Sequence, residues 1–483
     1  MNKKKFTDLG LHNDILRSLK DLDFKYATEV QEKVIPYILK DKDLIVRAQT
    51  GSGKTGAFGI PLCENVDRNL KDPQVLILTP TRELAVQVKT DIGNIGRYMK
   101  IRCAAVYGKH PMRIEVGELR QRVHMISGTP GRVNAHIENG TIDPQKIKYL
   151  IIDEADEMLN MGFIDQMVNI INKLPKERVT LLFSATMPER IQEICKSYMC
   201  DPIKIEIEAE ESTLEKINQV YYEIEENNKF DLLNRLIITQ RPESCIVFCN
   251  TRETVRKVQR FLNKNKYFAE GLHGGMEQDI RLQTINDFKR GRFHFLVATD
   301  VAARGIHIDD ISLVINYDIP VEIESYVHRI GRTGRAGKGG RAITFVTERQ
   351  ERMLEKIEEF AGVSIEKAEI PTESDVRASK EAFPNMYKSK PKVKKDRAEK
   401  LNKKISRIRL NAGKNKKLRA VDIIGALCSI NGITNDDIGI IDIQKTCTYI
   451  EIFEGKGDIV MKALEKLTIK GKSISFKNVG HKY

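Results

Sequence analysis

Residues 44–55 read LIVRAQTGSGKT, an apolar run followed by a glycine-rich loop and then by a helical pattern. A strand, a loop and a helix in this order are the context that a phosphate-binding loop requires. The glycines let backbone N–H groups close round phosphate oxygens, Lys54 adds a positive charge near the β and γ phosphates, and the Thr55 hydroxyl can reach Mg²⁺. Such a match also occurs by chance in unrelated chains, so the rest of the sequence has to support it.

Other short apolar runs rich in β-branched residues recur along the chain, each followed by a helical pattern. The clearest are Val75 to Leu78, Leu150 to Ile152, Thr180 to Phe183, Cys245 to Phe248, Phe295 to Ala298, Leu313 to Ile315 and Ala342 to Val346. Continuous apolar strands that alternate with helices predict parallel sheets covered on both faces. Two such sheets fit the length better than one, since domains typically hold roughly 100 to 200 residues.

The predicted domain boundaries follow breaks in composition. A polar, acidic stretch at residues 209–213 separates a first α/β domain, residues 1–207, from a second, residues 208–371. Residues 372–404 are poor in apolar side chains and rich in lysine, which predicts a flexible or partly helical basic linker. Residues 405–483 read as strand, helix, strand, strand, helix, strand, the order found in small RNA-recognition domains. The expected fold class is α/β, with two tandem parallel-sheet domains followed by a small α+β domain.

Positive charge is concentrated in the last quarter of the chain. Residues 372–483 contain 25 Lys and Arg against 13 Asp and Glu, so they hold +12 of the net charge of +13. A basic terminal segment on a near-neutral body is typical of a nucleic-acid tether. A solubilising tail has the same charge count, so both interpretations stay open at this point.

The composition excludes several other classes of protein. Apolar residues make up 41% of the chain, yet no apolar run approaches the roughly 20 residues of a membrane-spanning helix. The basic start, residues 1–5, leads into an amphipathic stretch and not into a secretory signal, so we expect a soluble, cytoplasmic protein with no membrane contact. The eight cysteines lack the grouping of zinc ligands, which favours reduced, buried thiols over a structural metal.

A second candidate site lies about a hundred residues after the glycine-rich loop, where residues 150–156 read LIIDEAD. Two carboxylates there follow a predicted buried strand. In a nucleotide site Asp153 would hold hydrated Mg²⁺ and Glu154 would polarise the attacking water. Acidic residues are also common at helix N-termini, but the phosphate-binding loop upstream in the same α/β unit favours the nucleotide site.

The sequence Asp153-Glu-Ala-Asp156 and eight further motifs, in the same order, resemble the DEAD-box family of RNA helicases. The motifs are Thr28 to Gln31 after Phe6, Ala48 to Thr55, Pro80 to Leu84, Thr129 to Arg132, Asp153 to Asp156, Ser184 to Thr186, Val247 to Thr251, Ala298 to Gly305 and His328 to Arg335. The resemblance implies two RecA-like domains, with ATP in the cleft between them and RNA lying across both.

The resemblance also implies a role for each matching residue of the ATP site. Gln31 would read the adenine edge while Phe6 packs against the base. The nucleotide contacts it implies are Phe6, Gln31, Gln49, Thr50, Gly51, Ser52, Gly53, Lys54, Thr55, Gly305 and His307, with Thr55 and Asp153 on Mg²⁺. The catalytic set it implies is Lys54, Asp153, Glu154, His328, Arg332 and Arg335. The two arginines would reach across as arginine fingers, so that hydrolysis waits for closure of the two domains, while His328, Ser184 and Thr186 would couple closure to RNA.

On the RNA side, the resemblance assigns contacts to the sugar-phosphate backbone. They are Thr81, Arg82, Thr129, Gly131 and Arg132 in the first domain, and Thr251, Gly274, Arg281 and Thr299 in the second. Backbone contacts fix position and carry no sequence information. We therefore expect a core that tolerates any RNA sequence and unwinds short duplexes by bending one strand.

Two positions depart from the family pattern. Gly108-Lys109 stands where the family usually has Gly-Gly, which either adds a phosphate contact or merely replaces a close backbone approach. His307 stands where an Asp commonly contacts the ATP ribose. An imidazole can still form a hydrogen bond with a ribose hydroxyl, so the change puts nucleotide affinity in question and not the reaction.

The last domain resembles the RNA-recognition domain of the bacterial DbpA subfamily, in its order of elements and in its basic turn. That turn carries Lys414, Lys416, Lys417 and Arg419. The resemblance implies docking on a hairpin of large-subunit ribosomal RNA. The aromatic signature of RNA-recognition domains is reduced to Tyr449, which either stacks on a base or lies on a solvated sheet face.

The favoured hypothesis is an RNA-stimulated ATPase that remodels large-subunit ribosomal RNA during ribosome assembly. The alternative is an ATP-gated RNA clamp or chaperone with little strand-separation activity, against which the intact Glu154, Arg332 and Arg335 argue. A DNA helicase or a nucleotide-driven protein machine shares the same loop architecture. The Gln31 motif and the RNA-recognition-like tail argue against this third hypothesis.

Overall fold

In the computed structural model, the chain passes from one structural unit into a second and then returns to the first. The structure describes residues 4–49, 51–207, 217–303, 308, 311–334, 340–382, 391, 393, 397–465 and 468–480. One unit comprises Met1–Ile207 together with Asp396–Tyr483, and the other comprises Glu208–Lys395. Among the described residues, no helix has both the length and the apolar character needed to cross a membrane.

The first domain is built on a parallel sheet of seven strands. They are β1 Leu44–Arg47, β2 Val75–Leu78, β3 Cys103–Val106, β4 Met125–Gly128, β5 Tyr149–Ile152, β6 Val179–Ser184 and β7 Ile203–Glu206, in the order β3-β4-β2-β5-β6-β1-β7. Successive residues of each strand point to opposite faces, so the continuous apolar runs fill two separate cores. In β5, for example, Ile151 packs into one core and Ile152 into the other.

Nine α-helices flank this sheet among the described residues. They are α1 Asn13–Asp21, α2 Glu29–Ile38, α3 Lys54–Asn65, α4 Arg82–Ile95, α5 Met112–Leu119, α6 Pro130–Glu138, α7 Ala155–Asn160, α8 Ile164–Lys173 and α9 Glu189–Tyr198. Several begin at a capping residue next to a strand end. Thr81, for instance, accepts a hydrogen bond from the Leu84 N–H at 3.2 Å and so starts α4 shortly after β2.

The second domain repeats the plan with another parallel sheet of seven strands. They are β8 Ile217–Glu223, β9 Cys245–Phe248, β10 Ala269–Leu272, β11 Phe295–Ala298, β12 Leu313–Asn316, β13 Gly340–Val346 and β14 Glu366–Lys367, in the order β10-β11-β9-β12-β13-β8-β14. Its helices are α10 Lys229–Gln240, α11 Arg252–Lys264, α12 Gln278–Lys289, α13 Asp300–Ala303, α14 Ile323–Ile330, α15 Glu351–Ala361 and α16 Glu373–Ala382.

A single buried arginine joins several strand ends of the second domain. The Arg329 guanidinium on α14 donates to both carboxylate oxygens of Asp300, at 2.5 and 2.6 Å. It also donates to the Asp318 carbonyl at 2.6 Å and to the Asn250 side chain at 2.9 Å. These partners follow β11, β12 and β9, so one side chain fixes the carboxyl ends of three neighbouring strands.

The C-terminal domain is a small antiparallel sheet with two helices. The sheet contains β15 Ser406–Leu410, β16 Ile438–Ile443, β17 Thr448–Ile452 and β20 Phe476–Asn478, in the order β16-β17-β15-β20. The helices α18 Ala420–Cys428 and α19 Gly457–Leu464 cover one face, and a third helix, α17 Glu399–Lys404, precedes the sheet. This arrangement matches the order of elements predicted from the sequence.

The last strand begins later than the sequence indicates. The sequence pattern predicts the strand over residues 473–477, with Ser473, Ile474 and Ser475 included, but β20 starts at Phe476. Lys472 and Ser473 form β19, which pairs with β18, Thr468–Ile469, in a separate hairpin. The turn at Lys470 and Gly471, both with positive φ, returns the chain within two residues and draws Ser473 out of the larger sheet.

The C-terminal domain packs against the first domain within one unit. Leu401 in α17, Ile405 directly after it and Phe453 after β17 belong to the same apolar core as α1 and α4 of the first domain. All three side chains are buried. The apolar contact is therefore continuous from one domain into the other.

The predicted fold class is confirmed, since two parallel sheets are followed by a small antiparallel-sheet domain. The domain boundaries stay a prediction. The segment predicted as a basic linker contains α16 and α17, and the predicted break at residues 209–213 lies outside the described residues.

We predict that Arg329→Lys destabilises the second domain by about 2–4 kcal/mol, because lysine keeps the charge but cannot make the forked pair with Asp300. Calorimetry of the full-length protein measures this as a lowered unfolding transition. The matched control is Arg349→Lys at an exposed position. Equal transitions for the two variants would contradict the joining role of Arg329.

Candidate nucleotide site and RNA-binding edge

The glycine-rich loop connects β1 to α3. Gly51 and Gly53 have φ of +83° and +95°, a region that glycine enters without steric cost. Lys54 is the first residue of α3, is 5% exposed, and donates from Nζ to the Ala48 carbonyl at 3.2 Å. The loop therefore holds a buried ammonium at a helix N-terminus, where backbone N–H groups also favour an anion.

Gln31 lies against this loop. Its Oε1 accepts from the Thr28 N–H at 2.9 Å, which caps α2, and its Nε2 donates to the Gly53 carbonyl at 3.1 Å. A Cβ placed on Gly56 would lie 2.6 Å from Gln31 Nε2, so a larger residue there would displace the glutamine amide. The two segments that the sequence assigned to the adenine and the phosphates are thus in direct contact.

Of the other predicted nucleotide contacts, the structure describes some and leaves others outside the described residues. Phe6 is buried in the first-domain core and packs edge-on against Phe24, with ring centroids 6.3 Å apart. Its contact with the base stays a prediction. The predicted residues Thr50, Gly305, His307 and Arg335 lie outside the described residues.

The two candidate catalytic carboxylates follow β5. Asp153 is 2% exposed and Glu154 is 4% exposed, and the Asp153 N–H donates to the Leu78 carbonyl of β2 at 3.0 Å. Glu154 has φ of +54°, a left-handed conformation that is uncommon for a residue other than glycine. Strained backbone of this kind clusters at functional sites, where surrounding contacts enforce it.

Asp156 connects these carboxylates to the end of β6. Its Oδ2 accepts from the Ala185 and Thr186 N–H groups at 3.2 and 2.8 Å and from the Thr186 hydroxyl at 3.0 Å. Its own N–H donates to the Ser184 hydroxyl at 3.2 Å. No separate role was predicted for Asp156, although it stands in the same motif as Asp153.

The donor set suits a hard divalent cation. Thr55 is the second residue of α3 and offers a hydroxyl, and Asp153 offers a buried carboxylate. Oxygen ligands of these two kinds are the ones that Mg²⁺ takes in phosphate sites. Within the glycine-rich loop, the Ser52 hydroxyl donates a hydrogen bond to the backbone carbonyl of Gln49 at 2.9 Å.

The RNA-binding residues predicted for the first domain follow β2 and β4. Thr81 and Arg82 follow β2, and Thr129 precedes α6 after β4. A Cβ placed on Gly108 would lie 3.3 Å from Arg82 Nη2, which puts the Arg82 guanidinium beside the loop after β3. Gly131 approaches Gln166 of α8 closely, since a Cβ there would lie 3.0 Å from Gln166 Oε1.

Glu115 on α5 is a buried carboxylate behind this edge, with no exposed surface. It accepts from His136 Nε2 at 2.8 Å and from the Tyr107 N–H at 3.0 Å. It also pairs with His110 Nδ1 at 3.1 Å and with Arg132 Nη1 at 3.4 Å. The predicted RNA-binding Arg132 is therefore positioned by a residue that the sequence did not single out.

The environment of Glu115 favours its ionised form. Burial alone raises the pKa of this carboxyl, but hydrogen bonds from His136 and Tyr107 and the charge of Arg132 outweigh burial and hold the pKa below its usual value. A carboxyl with a lowered pKa contributes stability that is complete above the unfolded pKa and is lost as the pH falls through the folded pKa. Acidification should therefore loosen this cluster.

The second domain presents a corresponding edge. Thr251 after β9 caps α11 by accepting from the Thr254 N–H at 3.0 Å. Gly274 follows β10, and a Cβ there would lie 3.4 Å from an Arg252 nitrogen. Thr299 follows β11, and Arg281 of α12 donates to a backbone carbonyl of α13 at 2.8 Å. Three of the predicted RNA-binding residues of this domain thus follow β9, β10 and β11, and the fourth, Arg281, contacts the segment after β11 from α12.

The predicted catalytic residues His328 and Arg332 lie next to each other in the second domain. They line one small cavity together with Phe248, Asp300 and Ser325. The same cavity is bordered by the joining residue Arg329. The position of these two side chains is therefore coupled to the ends of β9 and β11.

In the C-terminal domain the basic turn is open to solvent. Lys414, Lys416, Lys417 and Arg419 are all exposed, and Arg419 pairs with Asp422 at the start of α18 at 3.3 Å. Tyr449 of β17 is half-buried, with the Arg407 guanidinium 4.5 Å from its ring centroid. Stacking on a base and packing within the sheet face both stay open for Tyr449.

The cysteines are free thiols, six of them buried and two exposed. Burial raises the pKa of Cys103 to about 12 and that of Cys195 to about 11, so these thiols stay protonated at neutral pH. In the part of the chain that the structure describes, no three His, Cys, Asp or Glu side chains are grouped so that they could hold a metal ion.

Three family models match successive parts of the chain. DEAD/DEAH box helicase matches residues 28–194, and the helicase conserved C-terminal domain matches residues 228–337. The DbpA RNA binding domain matches residues 407–478. The matches fall on the first domain, the second domain and the small antiparallel domain, in that order.

Individual relatives agree with these matches. The chain is 50% identical over 469 residues to the ATP-dependent RNA helicase DbpA of Bacillus subtilis, covering 97% of this chain and 98% of that protein. It is 45% identical over 367 residues to the DEAD-box ATP-dependent RNA helicase CshA of Geobacillus kaustophilus, covering 76% and 79%. Among solved structures, S. cerevisiae Dbp5 bound to RNA and ADP BeF3 matches with a TM-score of 0.68 and 30% identity, over 79% of this chain and all of that one. The chain therefore belongs to the DbpA subfamily of the DEAD-box family, and it is an ATP-dependent RNA helicase whose ATP hydrolysis is stimulated by RNA.

Proposed function

We propose that the protein unwinds short RNA duplexes by closing its two RecA-like domains on ATP and RNA, and that its C-terminal domain directs it to large-subunit ribosomal RNA during ribosome assembly. The observation that carries the proposal is the position of the motifs in the first domain. The phosphate-binding loop, the two carboxylates and the backbone-gripping residues all leave the carboxyl edge of one parallel sheet. Ligands of open α/β sheets bind at this edge.

In the proposed ATP site, Lys54 neutralises phosphate charge and Gln31 orients the adenine. Thr55 and Asp153 hold Mg²⁺, which when bound neutralises charge that develops on the phosphates. Glu154 accepts a proton from the attacking water and orients it. The buried, enforced conformation of Glu154 supports this role, because a group fixed in advance loses little entropy in the transition state.

The coupling of hydrolysis to RNA is assigned to Asp156 and the segment after β6. Asp156 lies in α7, the helix that follows Glu154, and accepts one hydrogen bond from Ala185 and two from Thr186. A shift of one segment on domain closure therefore moves the other. From the second domain, Arg332 and Arg335 supply positive charge to the transition state, and His328 couples closure to RNA.

The proposed RNA contacts read the backbone. Threonine hydroxyls, arginines and helix N-termini at the two sheet edges are typical phosphate donors and carry no base information. Specificity then has to come from another part of the chain. The C-terminal domain supports such a role through its match to the DbpA RNA binding domain and its exposed basic turn.

The ribosomal target is proposed from the subfamily. The DbpA subfamily is the group whose RNA-recognition domain the sequence resembles, and the excess positive charge of residues 372–483 supports a polyanionic partner. The proposal includes a cytoplasmic location. The alternative function is an ATP-gated RNA clamp with little unwinding activity. The first experiment below distinguishes this clamp from a helicase.

We predict that Glu154→Gln abolishes steady-state ATP hydrolysis while ATP and RNA binding persist, because the change leaves phosphate and cation contacts intact. Lys54→Ala should weaken nucleotide binding itself. ATPase rates, nucleotide affinity and separation of a short RNA duplex are measured side by side. Parental turnover in Glu154→Gln would refute its role, and a parental protein that hydrolyses ATP without separating the duplex would favour the clamp.

We predict that Glu115→Gln raises the RNA concentration for half-maximal ATPase stimulation by about tenfold, since the neutral amide loses the ion pair with Arg132 and keeps only one acceptor oxygen for its neighbours. The rate at saturating RNA and the rate without RNA should change little. The variant should also have a lower free energy of unfolding than the parental protein. This difference should shrink as the pH is lowered, because protonation then removes the charge of Glu115 in the parental protein too.

The control for this prediction is Glu138→Gln, an exposed carboxylate on α6. It removes the same charge from the same domain without touching Arg132. Equal RNA dependence of the two variants, or an effect of Glu115→Gln on the RNA-free rate alone, would show that Glu115 does not position the RNA-binding edge.

We predict that the combined change Lys414→Gln, Lys416→Gln and Lys417→Asn lowers the preference for a ribosomal RNA fragment over a random RNA of equal length. Asparagine is chosen at Lys417 because this residue has φ of +54°. Arg419 is kept because it caps α18 with Asp422. The slope of the logarithm of RNA affinity against the logarithm of salt concentration should become shallower by an amount that corresponds to about three phosphate contacts.

The matched control removes three exposed lysines elsewhere, Lys146, Lys356 and Lys380, by changes to glutamine. Deletion of the whole C-terminal domain is the poorer test, since the first domain shares an apolar core with Leu401 and Phe453. If the turn variant and the control keep the same ratio of stimulation by the two RNAs, the basic turn is not the specificity element.

A further inference from the structure

The sheet of the C-terminal domain has one covered and one open face. Ile408, Leu410, Ile450 and Ile452 point into the core beneath α18 and α19. The alternate residues of the paired strands share the other face, and they are Arg407, Arg409, Asp442, Tyr449, Glu451 and Lys477. In small RNA-recognition domains, this face is the usual platform for single-stranded RNA.

In this chain, part of the open face contacts the first domain. Arg97, two residues after α4, donates from Nη1 to Glu451 Oε1 at 2.6 Å, and the side chains are only 11% and 9% exposed. Beside them, the rings of Tyr98 and Phe453 meet edge-on with centroids 5.0 Å apart. Buried aromatic and arginine side chains are typical of the centre of an interface, whereas its rim is exposed to solvent.

Tyr98 is held from several directions. The Arg17 guanidinium lies 3.7 Å from the centroid of its ring and also pairs with Glu454 of the C-terminal domain. The Tyr98 hydroxyl donates to Asp21 at 2.8 Å, and Lys404 of α17 donates to the same carboxylate at 2.7 Å. Burial and the neighbouring Asp21 raise the pKa of Tyr98. The aromatic pair is therefore enclosed by a network with members from both domains.

Charges of opposite sign also match around this centre. Arg102 of the first domain pairs with Asp442 at 3.5 Å, and Lys400 of α17 pairs with Asp23 at 2.5 Å. Lys100 donates to the carbonyl of Asn435 at 3.0 Å. Burial lowers the pKa of Lys100, as expected for an amine withdrawn from water. Both domains contribute cations and anions, so the match is reciprocal.

We propose that the open sheet face of the C-terminal domain is an intramolecular docking surface for the first RecA-like domain, centred on Arg97–Glu451 and Tyr98–Phe453. The free protein then carries its RNA-binding domain in one fixed position and not on a free tether. Undocking would leave Glu451 without its cation and would expose Tyr98 and Phe453 to water, which opposes separation. While the domains are docked, RNA cannot reach Glu451. The proposal does not depend on the ribosomal target.

Two native cysteines make the test direct. Cys200 of the first domain and Cys428 of the C-terminal domain are exposed, and the other six are buried. Spin labels on these two positions of the full-length protein report the distance between the domains by pulsed electron resonance. Docking predicts one narrow distance distribution without RNA or nucleotide. A broad distribution in the parental protein would overturn the proposal.

Charge reversal then tests the centre of the interface. We expect Arg97→Glu and Glu451→Arg, each alone, to broaden the distribution severalfold, and the double variant to restore the narrow peak. Arg120→Glu, an exposed position on the first domain, should leave it unchanged. A narrow distribution that persists in both single variants would refute docking through this pair. If Arg97→Glu fails to fold, Glu451→Arg and the double variant decide the question, and failure of the double variant to restore the peak counts against the proposal.

Discussion

The structure depends on hydrogen bonding between parallel strands that continues one residue past the strand ends. In the first domain the N–H groups of Ala48, Thr79, Thr129 and Asp153 donate to the last residue of a neighbouring strand, at 3.0 to 3.1 Å. Each donor opens a motif or stands next to one. Because the register of parallel strands fixes these bonds, loops far apart in sequence start from one edge at defined spacings. In the second domain, Thr299 follows the same rule with Leu272 of β10, at 3.2 Å.

The same constraint explains how much could be predicted. A strand buried on both faces has to be apolar at every position, so runs such as residues 75–78 and 295–298 were visible without structural information. Motifs at their ends could then be placed on one edge. Glu115 could not be found in this way, because its role arises from helix packing that brings His110, Arg132 and His136 around it. Neither periodicity nor spacing records such a cluster.

In the C-terminal domain, the number of charged residues does not show which charges are paired and which are exposed. Its order of elements was predictable from alternating apolar residues, but its docking was not, since Glu451 and Asp442 read as solvated residues of an open face. Both interpretations of the net charge of residues 372–483, a nucleic-acid tether and a solubilising tail, treat that charge as exposed to solvent. In the structure Lys400 and Lys404 pair with Asp23 and Asp21. Acidic residues of the tail likewise pair with arginines of the first domain. The charge available to RNA therefore depends on which groups remain exposed, and the basic turn is among them.

Docking also changes how the second domain is attached. The chain leaves the first unit after Ile207 and re-enters it at Asp396, so the second domain is inserted between two parts of one unit. With the C-terminal domain docked, the chain joins the second domain to that unit at both of its ends. If the C-terminal domain were undocked, only the connection after Ile207 would join the second domain to the first. A second connection would lower the entropy lost in the proposed closure of the two RecA-like domains. Loss of the Arg97–Glu451 pair would then affect closure at a distance, without any change to the residues that contact ATP.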